Sequence, residues 1–266
     1  MRVAFFLDGA AGRVFCTGAL QERHDNQQRR VLIIPPFAEE MNKSRHVLAA
    51  LSRALEQAGN DVLMPDPYGT GDSEGDFGDA TLDIWRADID AAIQHLGGKG
   101  ALDLVGLRFG ALLAADAASR HAVRSLTLLH PQTAGRQQLT QMLRLRLAGG
   151  LMGGGVETAA QLKQRLAAGE TLEIAGYRLS GQLADDLESL SLAHMCPVDA
   201  QQVNWIELAP QPDRPLMPAS QSVIDGWKAA GVSVDSGIVV CDQFWATQEI
   251  AQCPALVAEA MQRLAG

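Results

Sequence analysis

The sequence predicts an α/β protein: a doubly wound, mostly parallel sheet with an inserted helical cap. Short apolar runs alternate along the chain with longer segments in which apolar residues recur every three or four positions. Several of the short runs are apolar at every position, which is typical of strands buried on both faces of a parallel sheet. Residues 132–198 interrupt this alternation and are too long for a bare loop, so they are predicted to fold as a cap.

The apolar pattern also gives the order of the elements. Strands are predicted at residues 2–7, 13–20, 31–34, 61–64, 102–105, 125–129, 203–208 and 237–240. Helices are predicted at residues 47–58, 82–96, 110–119, 220–230 and 254–264. The core is therefore predicted to comprise residues 1–131 and 199–266, with the cap at 132–198 between them. Within the cap, the glycines at 153–155 are interpreted either as hinges or as turns.

Composition and charge exclude several classes of protein. Hydrophobic residues make up 47 % of the 266 residues, which provides the apolar surface for a large core and excludes disorder. The 31 acidic side chains outnumber the 22 basic ones, and the net charge of −9 argues against nucleic-acid and anionic-membrane binding. No apolar run approaches the roughly 20 residues of a membrane span, so no stable membrane insertion is expected. The first apolar run ends at Asp8 and is shorter than an export signal, which predicts a cytoplasmic location.

The four cysteines show no pattern that indicates a metal or a redox motif. Cys16, Cys196, Cys241 and Cys253 form no C-x-x-C pair and have no metal-ligand spacing. This pattern fits free thiols in a reducing compartment, and we expect neither a metal nor another cofactor. A small acyl or anionic molecule is the expected partner, and the oligomeric state is left open.

A glycine-rich loop follows the predicted strand at 61–64. It reads PDPYGTGDSEG over residues 65–75 and is similar to the D-x-x-G-x-G-x-S-x-G loop that follows the fourth strand in many α/β-hydrolases. Ser73 lies in a G-x-S-x-G sequence within this loop. Because a loop rather than a strand precedes it, Ser73 is retained only as an alternative nucleophile.

A second G-x-x-x-G sequence has the strand–turn–helix context that the first one lacks. Residues 102–111 read LDLVGLRFGA, which resembles the nucleophile elbow of α/β-hydrolases with Arg108 at the serine position. A guanidinium stays protonated and has no lone pair to attack a carbonyl, so Arg108 cannot replace serine. Two roles remain open for it: an ion pair with a carboxylate, or an anion site to which the amide of Phe109 also contributes.

The loop after the predicted strand at 31–34 carries two adjacent carboxylates. In α/β-hydrolases this loop supplies one amide of the oxyanion hole, which by position is that of Phe37 or Ala38. Glu39 and Glu40 follow directly. Either carboxylate is predicted to reach Arg108, because the carboxyl ends of parallel strands meet at one edge of the sheet.

The remaining triad positions are also altered. Asp213, in the turn after the strand at 203–208, stands at the position of the catalytic acid, although a solvated turn aspartate is an equally simple interpretation. Gln243 follows the last strand where histidine is expected, and an amide cannot accept a proton near neutral pH. His130 ends the strand at 125–129 and is the best-placed histidine for a base or a ligand contact. Cys241 is an alternative nucleophile if its pKa is lowered.

Five segments carry a narrower resemblance that spans most of the chain. They are PPFAEEMNKSR at 35–45, GLRFGALLA at 106–114, QMLRLRLA at 141–148, AGYRLS at 175–180, and the residues Phe244-Trp245 with Gln248-Glu249-Ile250. Together they resemble the exosortase A system-associated hydrolase type 2 family. The resemblance implies an α/β-hydrolase fold in bacteria that make exopolysaccharide and sort proteins through a C-terminal signal. It also directs attention to Tyr177 as a substrate contact from the cap.

Three functions are consistent with these residues. The first is a hydrolase-superfamily protein whose pocket, between Arg108 and the cap, holds an anion. The second is an active esterase or thioesterase that uses Cys241, Ser73, or a water activated by Glu39 or Glu40. The third is a non-catalytic binding or scaffold protein. A deep pocket with Arg108 directed into it favours the first two, whereas Arg108 held by a glutamate without a cavity favours the third.

Overall fold

A computed structural model describes residues 2–21, 29–97, 101–150, 157–247 and 249–265 of the chain. The strands are β1 (Arg2–Asp8), β2 (Arg13–Ala19), β3 (Arg30–Ile34), β4 (Asp61–Pro65), β5 (Leu102–Leu107), β6 (Ser125–Leu129), β7 (Leu172–Ile174), β8 (Tyr177–Leu179), β9 (Gln202–Ala209) and β10 (Val234–Val240). Eight of these described strands form one sheet in the order β1-β2-β4-β3-β5-β6-β9-β10. The pairs β1–β2 and β2–β4 are antiparallel, and the other pairs of this sheet are parallel.

Helices cover both faces of the sheet. They are α1 (Ala38–Gln57), α2 (Leu82–Leu96), α3 (Phe109–Ala118), α4 (Gly135–Gly150), α5 (Ala159–Ala167), α6 (Gly181–Ser189), α7 (Pro218–Ala229) and α8 (Pro254–Ala265), with short 3-10 turns at Phe77–Asp79 and Leu192–His194. The predicted doubly wound, mostly parallel architecture is therefore confirmed. The helix predicted at 47–58 begins nine residues earlier, because Met41 and Ser44 continue its buried stripe at helical spacing.

Burial of the central strands on both faces explains why their sequences are apolar throughout. In β3, Leu32 and Ile34 pack in the core with α2 and α3, whereas Val31 and Ile33 pack on the opposite face with α1 and α8. This alternation follows from the two-residue period of a strand. Both faces therefore exclude water, and ligands meet the sheet at the carboxyl ends of its strands.

The segment between β6 and β9 contains more than helices. Besides α4, α5 and α6 it forms the antiparallel hairpin β7–β8, which the sequence analysis did not predict because each strand has only three residues. The segment is joined to the core by specific contacts: Asp186 on α6 accepts a hydrogen bond from the first backbone N–H of α2, at Leu82, with a length of 2.9 Å. A side chain at Gly135 would collide with the carbonyl of Leu187, so α4 and α6 pack closely there.

Two of the cysteines are bonded to each other. Cys241, after β10, forms a disulfide with Cys253, which precedes α8, while Cys16 and Cys196 are free. The prediction of four free thiols is therefore wrong for this pair, because the fold brings together two residues whose spacing carries no motif. Disulfides persist in oxidising compartments, so the cysteines no longer favour a reducing one.

Two features of the sequence analysis lie outside the described residues: the glycines at 153–155 and Gln248. Among the helices that the structure does describe, none has both the length and the apolar composition that crossing a bilayer requires.

Candidate functional site

The predicted elbow forms a sharp turn between β5 and α3. Arg108 occupies its tip with φ 56° and ψ −117°, in the region of positive φ that costs a non-glycine residue conformational energy. Two glycines make the turn possible. A Cβ on Gly106 would collide with backbone at Gly110, and a Cβ on Gly110 would collide with the carbonyl of Ile34. The chain therefore keeps the backbone of a nucleophile elbow around an arginine.

Glu40 holds the guanidinium of Arg108. Nε of Arg108 lies 3.3 Å from both carboxylate oxygens, and Nη2 lies 3.1 Å from Oε1. The side chains are 13 % and 3 % exposed, respectively. A charge buried to this degree is costly unless it is paired, so each residue compensates the other. Arg108 is thus paired with one of the two carboxylates that the sequence offered.

Two further side chains hold this pair in place. Gln141, on α4, donates from Nε2 to Oε1 of Glu40 over 3.0 Å. The ring of Trp245 lies 4.8 Å from Cζ of Arg108, at cation–π distance. The pair is therefore held from the segment above the sheet and from the loop that follows β10.

Glu40 is available for this contact because of where α1 begins. It lies in the first turn of the helix, where the helix dipole favours a negative charge. Its neighbour Glu39 is half-buried and lies near Tyr177. The pKa of Tyr177 is raised by burial, and the charge of Glu39 acts in the same direction. The ring of Tyr177 packs against Phe77, and its hydroxyl accepts a long hydrogen bond of 3.4 Å from Asn42.

His130 lies beside the ion pair as a neutral imidazole. Its Nδ1 accepts a 2.9 Å hydrogen bond from the backbone N–H of Leu208, which places the ring proton on Nε2. Its ring centroid lies 4.7 Å from that of Trp245. Burial, and secondarily the charge of Arg108, lower the pKa of His130 to about 3. A base with so low a pKa is poorly matched to proton abstraction near pH 7.

The predicted oxyanion residues have buried side chains. The rings of Phe37 and Phe109 contact each other at 4.9 Å in the core, so any ligand contact by Phe109 is confined to its backbone. Ala38 has φ 54° and begins α1. The backbone N–H groups of Ala38 and Phe109 have no acceptor within the described part of the chain, as is usual in the first turn of a helix.

The structure does not bring Asp213 into this site. Asp213 is exposed in the turn after β9, with φ 64°, and its side chain makes no hydrogen bond or ion pair to the residues that the structure describes. Gln243 is also exposed, although it shares a cavity with His130. Arg108, Glu40, Gln141, His130 and Trp245 form the cluster instead.

The two alternative nucleophiles have structural roles. Ser73 donates a hydrogen bond to the carbonyl of Asp66 and accepts one of 2.7 Å from the backbone N–H of Phe15, so it holds its loop against β2. Cys241 has no free thiol while it is bonded to Cys253. The suggestion that Cys241 is a nucleophile is therefore wrong for the protein with this bond intact.

Three residues of the site region were missed from sequence: Gln141, Trp245 and Glu207. Gln141 begins the segment at 141–148 that carries the family resemblance, but nothing in that segment marks it as a contact of the elbow. Trp245 belongs to a segment that carried the family resemblance, but it was given no role. Glu207 is a single charged residue within an otherwise apolar strand, and that contrast was a usable signal.

A cavity of about 330 Å³ adjoins His130 at the carboxyl ends of β9 and β10. Arg108 does not line this cavity. Among those residues, no group of three or more His, Cys, Asp and Glu side chains has the arrangement of a metal site.

Comparison with solved structures identifies the fold. No protein-family model matches the chain, and no curated protein is significantly similar to it. Est1E from Butyrivibrio proteoclasticus, in a structure with ferulic acid bound, is 18 % identical with a TM-score of 0.65, over 98 % of this chain and 98 % of that chain. The chain has the α/β-hydrolase fold.

Other solved structures agree over nearly the full length. The mouse α/β-hydrolase domain-containing protein 10 is 15 % identical with a TM-score of 0.58, over 99 % of this chain and 98 % of that chain. The thioesterase domain from the curacin biosynthetic pathway is 16 % identical with a TM-score of 0.54, over 100 % of this chain and 98 % of that chain. Identities this low establish the fold and leave the chemistry to be argued from the site.

Replacing Glu40 by glutamine is expected to destabilise the protein strongly. The change leaves the buried guanidinium of Arg108 without its carboxylate, at a cost of about 3–5 kcal/mol in the free energy of unfolding. The double variant Glu40→Gln/Arg108→Met should recover part of that loss. Urea denaturation of the single and double variants measures the coupling energy.

The exposed pair Asp76–Arg178 provides a matched control for this cycle. Its coupling energy should stay below about 1 kcal/mol, because solvent screens both charges. Equal coupling energies for the two pairs would contradict the assignment of Arg108 and Glu40 as a buried pair.

The His130→Gln variant is expected to lose part of the acid sensitivity of the fold. The pKa of His130 is near the ordinary histidine value of about 6.5 in the unfolded chain and about 3 in the folded one, so the unfolded state takes up the proton first. Its contribution is fully present above pH 6.5 and is lost as the pH falls towards 3. In this window the slope of unfolding free energy against pH should decrease by up to about 1.4 kcal/mol per pH unit in the variant. Denaturation curves with an unchanged slope would show that His130 is not buried in neutral form.

Proposed function

We propose that this protein is a non-catalytic member of the α/β-hydrolase fold that binds a small molecule. The observation that carries the proposal is the ion pair of Arg108 with Glu40 at the tip of the elbow. Acyl transfer requires a group at this position that attacks a carbonyl and later leaves. The guanidinium has no lone pair for either step, and its charge is already neutralised by Glu40.

The other triad positions support the same interpretation. A general base must have a pKa near the working pH, whereas Gln243 has none and the pKa of His130 is about 3. Asp213 is exposed and orients no base. We therefore propose that none of the three triad positions, occupied by Arg108, Asp213 and Gln243, performs its catalytic role.

The ion pair also bears on the alternative in which Glu40 activates a water molecule. Oε1 of Glu40 accepts hydrogen bonds from Arg108 and Gln141, and Oε2 lies within 3.3 Å of Nε of Arg108. Both carboxylate oxygens are thus engaged by donors of the protein itself. Ester or thioester hydrolysis through Glu39, which has no such pairing with the residues that the structure describes, is the second candidate function.

The biological setting is proposed from sequence. The segments at 35–45, 106–114 and 175–180 support a role beside the bacterial exosortase and exopolysaccharide system, through their family resemblance. A cytoplasmic location, expected from the sequence analysis, is kept as part of this proposal. In a reducing compartment, the bond between Cys241 and Cys253 would be open.

Purified wild-type protein is expected to hydrolyse short- and medium-chain p-nitrophenyl esters and acyl thioesters no faster than heat-denatured protein. The reason is the absence of both nucleophile and base at the elbow. The variants Ser73→Ala, Cys241→Ala, Glu39→Gln and Arg108→Ala should all give the same background rate, with folding checked by circular dichroism. Wild-type turnover that is lost in one of these variants would overturn the proposal and would name the group responsible.

A further inference from the structure

The cavity at the ends of β9 and β10 contains a buried carboxylate that no cation of the described residues neutralises. Glu207 lies in β9 and is 3 % exposed, and it lines the cavity of about 330 Å³. Its Oε2 accepts a 3.0 Å hydrogen bond from the backbone N–H of Met217, and its Oε1 accepts a long one of 3.4 Å from Nε1 of Trp205. No Lys, Arg or His side chain of the described ranges forms an ion pair with it.

These two neutral donors compensate the charge of Glu207 only in part. The donor at Met217 caps the N-terminus of α7, where the helix dipole supplies about half of a positive charge. Buried carboxylates are ordinarily paired with a full cation or with several strong donors. A ligand that brings a protonated amine to Glu207 would supply the missing charge.

The opposite charge lies at the solvent side of the same cavity. Arg214 lines it, is exposed, and pairs with no carboxylate in the part of the chain that the structure describes. Glu207 and Arg214 are more than an ion-pair distance apart, since no contact within 4.0 Å joins them. The cavity thus presents a negative site inside and a positive site outside, and a zwitterion fits both.

The remaining lining restricts the ligand further. Leu216, Met217 and Ile238 provide apolar surface, and His130 also lines the cavity. The volume lies at the lower end of the range for small-molecule sites, about 300–1,000 Å³. The ligand should therefore be small, with one apolar group between or beside its charges.

We infer that this cavity binds an α-amino acid with an apolar side chain. Its ammonium group lies against Glu207, its carboxylate against Arg214, and its side chain against Leu216 and Ile238. The inference rests on the proposed function, because it names the class of molecule that the non-catalytic protein binds. It differs from the anion site predicted at Arg108, since the charge that selects the ligand is the carboxylate of Glu207.

Isothermal titration calorimetry with probes of similar carbon skeleton tests the inference. L-Leucine carries both charges, 3-methylbutylamine only the cation, and 4-methylpentanoate only the anion. L-Leucine should bind the wild-type protein most tightly and 4-methylpentanoate least tightly. Equal binding of L-leucine and 4-methylpentanoate, or no saturable binding of L-leucine at millimolar concentration, would overturn the inference.

Two variants and a control show which side chain binds the ammonium group of the ligand and which binds its carboxylate. Glu207→Gln keeps an acceptor for the N–H of Met217. It should lower the affinity for L-leucine and for 3-methylbutylamine by at least about tenfold. Arg214→Gln, at an exposed position, should weaken L-leucine but leave 3-methylbutylamine unchanged. Asp213→Asn in the same turn should change neither. Unchanged affinities in both Glu207→Gln and Arg214→Gln would also overturn the inference.

The ester assay separates this inference from the proposed function. A protein that binds L-leucine through Glu207 and also hydrolyses esters contradicts only the absence of catalysis. A protein that does neither contradicts only the amino-acid site.

Discussion

The ion pair between Arg108 and Glu40 is the interaction on which the rest of this site depends. The elbow directs residue 108 over the carboxyl edge of the sheet, where the fold buries it. An arginine there requires a carboxylate, and α1 must begin early enough to supply one in its first turn. Gln141 and Trp245 then complete the contacts of the pair from two other parts of the chain. Four separate segments thus meet at the tip of the elbow.

The fold could be predicted from the sequence because the central strands are buried on both faces and the helices are amphipathic. The elbow could be located for the same reason, since a strand, a glycine-bounded turn and a helix are adjacent in sequence. The choice between Glu39 and Glu40 could not be made, because it depends on the phase of a helix whose start was predicted too late. Neighbouring helical residues point about 100° apart, so that one carboxylate faces Arg108 and the other does not.

What the sequence could not supply were contacts between distant segments. Gln141 meets Glu40, and Cys241 meets Cys253, only through tertiary packing. The position of Asp213 was inferred from its order along the chain, but the turn after β9 leaves it exposed and away from the ion pair. Glu207 was visible in the sequence as a charged residue in an apolar strand. Only the structure shows that it lines a cavity and can therefore contact a ligand.

Charge is distributed unevenly along the carboxyl edge of the sheet. At the end of β5, Glu40 neutralises the guanidinium of Arg108 and holds it in place. At the end of β6, the imidazole of His130 is neutral at physiological pH. At β9 the carboxylate of Glu207 is buried, and no cation within the described ranges pairs with it. The edge is therefore electrostatically satisfied at β5 and β6, whereas at β9 we propose that a ligand supplies the missing charge.

The exchange of the Arg108 side-chain Nε–H proton with solvent, measured by NMR on the labelled protein, tests the central claim most directly. If Glu40 holds the guanidinium, this proton exchanges slowly in the wild type. The exchange rate of this proton should be much higher in Glu40→Gln than in the wild type, and it should be the same as in the wild type in Glu39→Gln. Exchange in the wild type as fast as that of the exposed Arg178 would contradict the account, because the elbow would then present a free cation.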